Sequence, residues 1–219
     1  MTTTQSPLHV TVFGATGGIG RHVIDQLLAT GHSVTAYVRN PAKLDRTHPD
    51  LTIVQGELTD AAAVAKAVTG ADAVISALGP TLKRSATGTP VAVGTRTIVT
   101  AMTDAGVRRY IGLATPAMAD PQDQPTLKGK VLRFMPRLAF PTALAEIDAM
   151  ADAIRGSDLN WTIARITSPN DKPATGTVRS GFLGRDKVGS AMTRADIAAF
   201  LVIQLTDDTH HHAAPAISN

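Results

Sequence analysis

The chain has 219 residues, enough for one domain with a small accessory lobe and a full buried core. Its formal charge of +3 comes from scattered Lys and Arg residues, which argues against a nucleic-acid partner. Cysteine is absent, so disulfides, thiolate nucleophiles and Cys-ligated metals are excluded. The first residues lack a basic segment followed by an apolar one, and no run is long enough to cross a bilayer; the expectation is a cytoplasmic protein without membrane association.

In chain order, Leu8–Phe13 reads as a strand that runs straight into Gly14-Ala15-Thr16-Gly17-Gly18-Ile19-Gly20. The stretch Gly18–Thr30 follows, with Ile19, Val23, Ile24, Leu27 and Leu28 forming a helical stripe. Strand, glycine turn and helix is the geometry that sets a pyrophosphate on backbone N–H groups at a helix N-terminus. The spacing is G-x-x-G-x-x-G, where Gly14 allows the tight turn, Gly17 the close approach of phosphate, and Gly20 the packing of helix on strand.

Further strands are expected at Ser33–Val38, Leu51–Gln55, Ala71–Ala77, Val107–Ala114 and Asn160–Ile166, with helices at Asp60–Thr69, Val91–Ala105 and Pro141–Arg155. Gly31, Gly70, Gly106 and Gly156 follow helical runs as stop signals. Thr193-Arg194-Ala195-Asp196 has the form of a capping box opening a last helix through Leu205, and Ala213–Ser218 reads as a final strand. The three histidines His210–His212 make a poor metal site, because neighbours in extended chain point to opposite sides, and no metal is expected. The alternation predicts an α/β, Rossmann-like, doubly wound and mostly parallel sheet with helices on both faces, in a single domain over residues 1–219.

Residues 115–141 interrupt this rhythm with five prolines and the basic Lys128, Lys130, Arg133 and Arg137. A solvated basic loop and a substrate lid both fit that composition. Residues 166–192 are expected to contribute a small lobe on the substrate side.

At the end of the second strand an NAD site wants Asp or Glu for the ribose 2′-OH, and this chain carries Arg39. A guanidinium can grip a 2′-phosphate, so the expected cofactor is NADP(H); an exposed arginine at a strand end is the plainer alternative. Asp60 could accept a bond from the adenine amino group or serve as a helix N-cap. Ala77, Leu78 and Gly79 leave room for a ribose, or simply form a turn with Pro80.

The succession Val-Phe-Gly-Ala-Thr-Gly-x-x-Gly, Val-Arg-Asn-Pro, Gly-x-x-x-Asp and Ala-Leu-Gly resembles the atypical short-chain dehydrogenase/reductase superfamily. Within it, the chain is most similar to the NAD(P)H-binding group that contains biliverdin IXβ reductase/flavin reductase and NmrA-like proteins. Trp161–Arg165 and Thr193–Ala198 extend the likeness along nearly the whole chain. The resemblance implies that Gly14, Thr16, Gly17, Gly18 and Ile19 line the pyrophosphate and that Arg39 meets the 2′-phosphate. It also implies Asp60 near the adenine and Ala77, Leu78 and Gly79 near the ribose and nicotinamide. Thr115 falls where flavin-reductase relatives carry a serine, and is the candidate catalytic residue; Ser168 falls near where they carry a histidine. Pro116 biases Thr115 to extended geometry, which would aim its carbonyl and hydroxyl out of the strand end.

The superfamily's Tyr-x-x-x-Lys pair is missing: Tyr37 and Tyr110 lie in strands and are followed four residues on by Pro41 and Ala114. The expected function is therefore hydride transfer from NADPH to a small conjugated acceptor, anionic or aromatic, such as a flavin or quinone. The alternatives are a non-catalytic NADP(H) sensor of NmrA-like type and a pathway-specific isomerase or dehydratase.

Overall fold

β-Branched and apolar residues at Val10, Thr11, Val12 and Phe13 form the centre of the fold in a computed structural model, which describes residues 6–80, 88–126 and 138–219. Ten strands are present: β1 (His9–Phe13), β2 (Ser33–Val38), β3 (Leu51–Gln55), β4 (Ala73–Ser76), β5 (Arg109–Ala114), β6 (Asn160–Ile166), β7 (Pro169–Asn170), β8 (Arg179–Gly181), β9 (Met192–Thr193) and β10 (Ala216–Ser218). The α-helices are α1 (Gly18–Ala29), α2 (Ala61–Val68), α3 (Pro90–Asp104), α4 (Pro141–Arg155) and α5 (Arg194–Ile203). Eight strands make one sheet in the order β3-β2-β1-β4-β5-β6-β10-β8, parallel except for β8, which runs antiparallel to β10. The chain leaves β1 toward β2 on one side and later returns to β4 on the other, so the strand order reverses between β1 and β4. Such a reversal opens a crevice at the carboxyl ends of the strands.

Side chains alternate across the pleat, and both faces are dry. Val10 and Val12 pack with Val23, Ile24 and Leu27 of α1 and Ile197, Phe200 and Leu201 of α5. Phe13, Val74 and Tyr110 face the other way, against Val64 of α2, Ile98 and Met102 of α3, and Leu144 and Ile147 of α4. Burial on both sides explains why these strands read as continuous apolar runs.

Several helix ends follow the sequence reading. Gly31, Gly70 and Gly106 have φ of +82°, +76° and +71°, the left-handed conformation that closes a helix cheaply only with glycine. Gly156 caps α4 without it, at φ −78°. Thr193 caps α5 through a bond from the Asp196 N–H. Glu146 of α4, 4% exposed, accepts from the backbone N–H of Val91 at 2.6 Å and of Ala92 at 3.3 Å. A buried carboxylate thus serves the N-terminus of the neighbouring α3.

Two expectations change. The last strand starts at Ala216, after Pro215, with only an isolated bridge between Ala213 and Thr162 before it. His210 closes a 3₁₀ turn (Asp208–His210), His211 is extended and His212 has φ +53°, so the three histidines do not form one continuous extended run. They go separate ways: His210 meets Ser180 Oγ, His211 meets Asp208, and His212 stands edge-on to Trp161. Among the described residues no cluster of metal-ligating groups forms and no helix is long and apolar enough to cross a membrane.

Candidate nucleotide and acceptor site

The strand registers gather the site. Phe13 pairs with Tyr37 and with Ser76, Ser76 with Gly112, and Ala114 with Arg165. The residues that follow these pairs (Gly14, Arg39, Ala77–Gly79, Thr115 and Thr167–Ser168) therefore leave the same edge of the sheet.

Gly14 turns with φ +75°, and a Cβ on it would lie 2.8 Å from the carbonyl carbon and oxygen of Ala77. Turn and neighbouring strand end are in direct contact, which demands glycine on both conformational and steric grounds. A Cβ on Gly20 would collide with the Gly14 carbonyl oxygen, so its glycine serves packing of helix against turn rather than against strand. The Gly17 N–H donates to Gly14 O at 2.9 Å. Arg21 braces the loop, donating from Nε to Thr16 O at 3.1 Å and from Nη2 to Lys43 O at 2.7 Å.

Gly17 and Gly18 are exposed, and α1 begins with no side-chain cap and no acidic residue in its first turn. The first N–H groups of a helix have no partner within it, and they carry the positive end of its dipole. A pyrophosphate fits this open, uncapped turn. Arg39 lies exposed just beyond β2, and no carboxylate pairs with it among the described residues. Asn40 caps the 3₁₀ turn Pro41–Lys43 that follows. Asp60 caps α2, accepting from the Ala63 N–H at 3.0 Å, so the plainer of its two sequence readings is satisfied by geometry.

From the glycine turn a cavity of about 410 Å³ runs along the ends of β4, β5 and β6. Ile19, Ala77, Leu78, Gly79 and Pro80 wall one end; Leu113, Thr115, Phe140, Leu144, Ile147 and Ile166 wall the other. Among the described residues no ionisable side chain lines it, and its polar groups are the hydroxyls of Thr115, Thr167 and Ser168. Ser168 is strained, with φ +41°. Thr115 Oγ1 is buried without a hydrogen-bond partner, whereas its carbonyl accepts the Met118 N–H at 3.0 Å. The hydroxyl is left without a partner among the described residues; the carbonyl, expected to point outward, is consumed by a turn at Pro116.

Both tyrosines lie outside the cavity lining. Tyr110 is 1% exposed and burial pushes its hydroxyl up to about 12. Tyr37 is likewise raised to about 12, by burial and then by the charges of Asp60 and Glu57, and it donates to Glu57 O at 2.7 Å.

Of the described part of the proline-rich segment, residues 116–118 and 120 are packed into the fold, whereas Pro121, Gln122, Gln124, Pro125 and Leu138 are exposed. Ala117 and Met118 are 2% exposed and Asp120 5%. Arg165 Nη1 donates to Met118 O, Arg155 Nη2 donates to Ala119 O, and Asp120 accepts from the Ala214 N–H. Lys128, Lys130, Arg133 and Arg137, singled out as a basic stretch, lie outside the described residues. The 166–192 region supplies the two-stranded sheet β7–β9 and the edge strand β8.

Comparison with known proteins speaks to the family and the fold. A family model described as NAD(P)H-binding matches residues 14–208. The "(4-alkanoyl-5-oxo-2,5-dihydrofuran-3-yl)methyl phosphate reductase" of Streptomyces griseus is 27% identical over 215 residues, 95% of this chain and 67% of that protein. The chain spans between 26% and 67% of the length of this and two other curated relatives that it matches. ChuY, an anaerobillin reductase from Escherichia coli O157:H7, superposes with a TM-score of 0.78 at 21% identity, covering 96% of each chain. A wide-type short-chain dehydrogenase/reductase from Veillonella parvula, solved in complex with NADP, gives a TM-score of 0.76 at 20% identity over 98% of this chain and 95% of its own. At these identities the two solved structures speak for the fold.

Proposed function

The chain belongs to a family described as NAD(P)H-binding, and we propose that within it this protein is an atypical short-chain dehydrogenase/reductase that uses NADPH to reduce a conjugated acceptor such as a flavin or quinone. The observation that carries this reading is the cavity that joins the glycine turn to Thr115 and is lined, among the described residues, by apolar side chains and three hydroxyls. When bound, a reduced nicotinamide supplies hydride. A carbonyl substrate would need a proton donor at the reacting carbon's oxygen, and neither tyrosine lines this cavity. A conjugated acceptor delocalises the charge it receives and takes its proton from solvent or a weak hydroxyl.

In this reading the backbone N–H groups of Gly18 and Ile19 hold the pyrophosphate, with Gly14, Thr16 and Gly17, whose own N–H is bonded to Gly14 O, shaping the turn that lines it. Arg39 holds the 2′-phosphate and so favours NADP(H) over NAD(H), and Asp60 borders the adenine. Ala77, Leu78 and Gly79 face the ribose and nicotinamide. Thr115 Oγ1 donates to the nicotinamide carboxamide or the acceptor, and the apolar walls align the two rings.

The test is oxidation of NADPH with FMN, a quinone and a redox dye offered separately. Turnover with at least one supports the assignment. Tight NADPH binding without turnover on any of them would instead support a non-catalytic redox sensor, the reading favoured by the lack of ionisable groups among the described residues that line the cavity.

A further inference from the structure

The glycine turn has a cationic neighbour that belongs to a distant part of the chain. Arg194, the first residue of α5, lays its side chain across Gly18: a Cβ built there would stand 2.7 Å from Arg194 Cδ and 2.9 Å from its Nε. The arginine therefore flanks the N-terminus of α1, and it can do so because Gly18 has no side chain. Among the described residues its guanidinium has one ionic contact, Nη1 to Asp171 Oδ1 at 2.6 Å.

Backbone register produces this pairing. β7 and β9 are parallel, with Asn170 opposite Thr193, so the next residues, Asp171 and Arg194, emerge side by side. Thr193 and Asp196 lock the start of α5 through reciprocal bonds of 2.8 and 3.1 Å, which fixes the point from which Arg194 departs. Gln26 of α1 donates to Ala195 O at 2.9 Å and ties the two helices together at that level. The arginine's root is rigid; its partner is not confined. The Asp171 side chain is 83% exposed, against 27% for Arg194. An ion pair with so open a carboxylate is weak, because water screens it. A pyrophosphate at the same helix end carries two charges and offers bidentate acceptors in a setting already positive from the helix dipole.

We propose that Arg194 is a pyrophosphate-binding residue and Asp171 its exchangeable counter-ion: a dinucleotide arriving at Gly17–Gly18 takes the guanidinium away from the carboxylate. The proposal rests on the nucleotide-binding reading above and adds to it a residue that competes for its own ligand. Asp171 acts against binding, so its removal should strengthen it.

Calorimetry with NADP⁺ and with 2′-AMP, which has the adenine and 2′-phosphate but no pyrophosphate, separates the cases. Arg194→Gln should weaken NADP⁺ by roughly ten- to a hundredfold, the worth of charge-assisted bonds, and leave 2′-AMP unchanged. Asp171→Asn, at an exposed position that the fold tolerates, should tighten NADP⁺ by about two- to fivefold. The gain should vanish in the Asp171→Asn/Arg194→Gln double variant. If wild-type protein binds NADP⁺ while Asp171→Asn leaves its affinity equal or weaker, or Arg194→Gln leaves it unchanged, the latch is refuted and the dinucleotide site stands. If wild-type protein binds neither NADP⁺ nor 2′-AMP, the nucleotide reading falls with it.

Discussion

Arg165, with a fully buried side chain, is clasped by Asp123 through two bonds, Nη1 to Oδ2 at 2.6 Å and Nη2 to Oδ1 at 2.7 Å. The same carboxylate accepts the backbone N–H groups of Asp120 and Leu183 at 3.0 and 2.9 Å. One ion pair thus joins the end of β6 to the segment after β5 and to the chain beyond β8. Burial works against the Asp123 charge, but the bond from Arg165 and the N–H of Asp120, with the Arg165 charge and the N–H of Leu183, hold its pKa below the ordinary carboxylate value.

Breaking this pair should be costly, since a lone charge would remain in the interior. Asp123→Ala should destabilise the fold by about 3–5 kcal/mol. An Asp123→Leu/Arg165→Met double variant, which removes both charges, should recover much of that loss. Denaturant unfolding measures both; equal stability of the single variant and wild type would show that the pair contributes nothing net.

Acid should act through Asp196. Burial opposes its charge, but bonds from the Thr175 N–H, Thr193 Oγ1, Gly176 N–H and Asn219 Nδ2 hold its pKa at about 2, against an ordinary 3.8. A carboxylate depressed in the folded state stabilises at pH above the unfolded value and loses that contribution as pH falls through the folded one. Stability should therefore drop between about pH 4 and pH 2 by on the order of 1–2 kcal/mol from this group. In Asp196→Asn the melting temperature at neutral pH should fall and its decline over that window should flatten. An unchanged acid slope would assign the acid sensitivity to other carboxylates.

Much of this architecture is legible in the sequence because its signals are local. The expected bounds of β2, β3, β6 and α4 match the observed ones, since each carries its own period and stop signals. The short strands β7, β8 and β9 have two or three residues, too few for any period, and exist only through their partners. The same limit hides the residues that brace the site. Asp123 and Arg165 are 42 positions apart and Val91 and Glu146 are 55 apart, and neither pair has a sequence signature. Thr115 was recognisable as the end of a strand; that its hydroxyl is buried and unpartnered while its carbonyl is occupied depends on the turn to Met118.

Cofactor choice should turn on Arg39, exposed at the end of β2 where a carboxylate would repel a 2′-phosphate. Arg39→Ala should weaken NADPH by roughly ten- to a hundredfold and NADH hardly at all. Calorimetry with both nucleotides decides; equal weakening of the two would remove Arg39 from the 2′-phosphate.

The turn itself offers a clean disruption at Gly17, whose φ of −76° and ψ of 165° suit any residue. A Cβ there would sit 3.2 Å from Gly14 O, a tight but local contact. Gly17→Val should therefore fold while its side chain stands where phosphate must approach, and NADPH binding should be lost. Gly14 and Gly20 are poorer choices, because a Cβ at either meets backbone and would deform the turn. A folded Gly17→Val protein with wild-type NADPH affinity would contradict the site.

Chemistry tests Thr115 against Tyr110. Among the described residues that line the cavity, Thr115 is the one with a buried, unpartnered side-chain oxygen, and in the proposed reading its removal costs a single neutral hydrogen bond to nicotinamide or acceptor. Thr115→Ala should lower kcat/KM by up to about tenfold. Thr115→Ser keeps the oxygen and should restore most of the rate, which separates a hydroxyl's role from that of a methyl that merely fills the wall. Tyr110 lies in the core with its hydroxyl raised to about 12, so at neutral pH it is protonated and walled off from solvent. Tyr110→Phe should leave the rate nearly unchanged. Loss of turnover in Tyr110→Phe, with fold and NADPH binding intact, would mean that the tyrosine reaches the acceptor after all. Reduction would then proceed by tyrosine-assisted proton transfer to a carbonyl, and the conjugated-acceptor mechanism would be wrong.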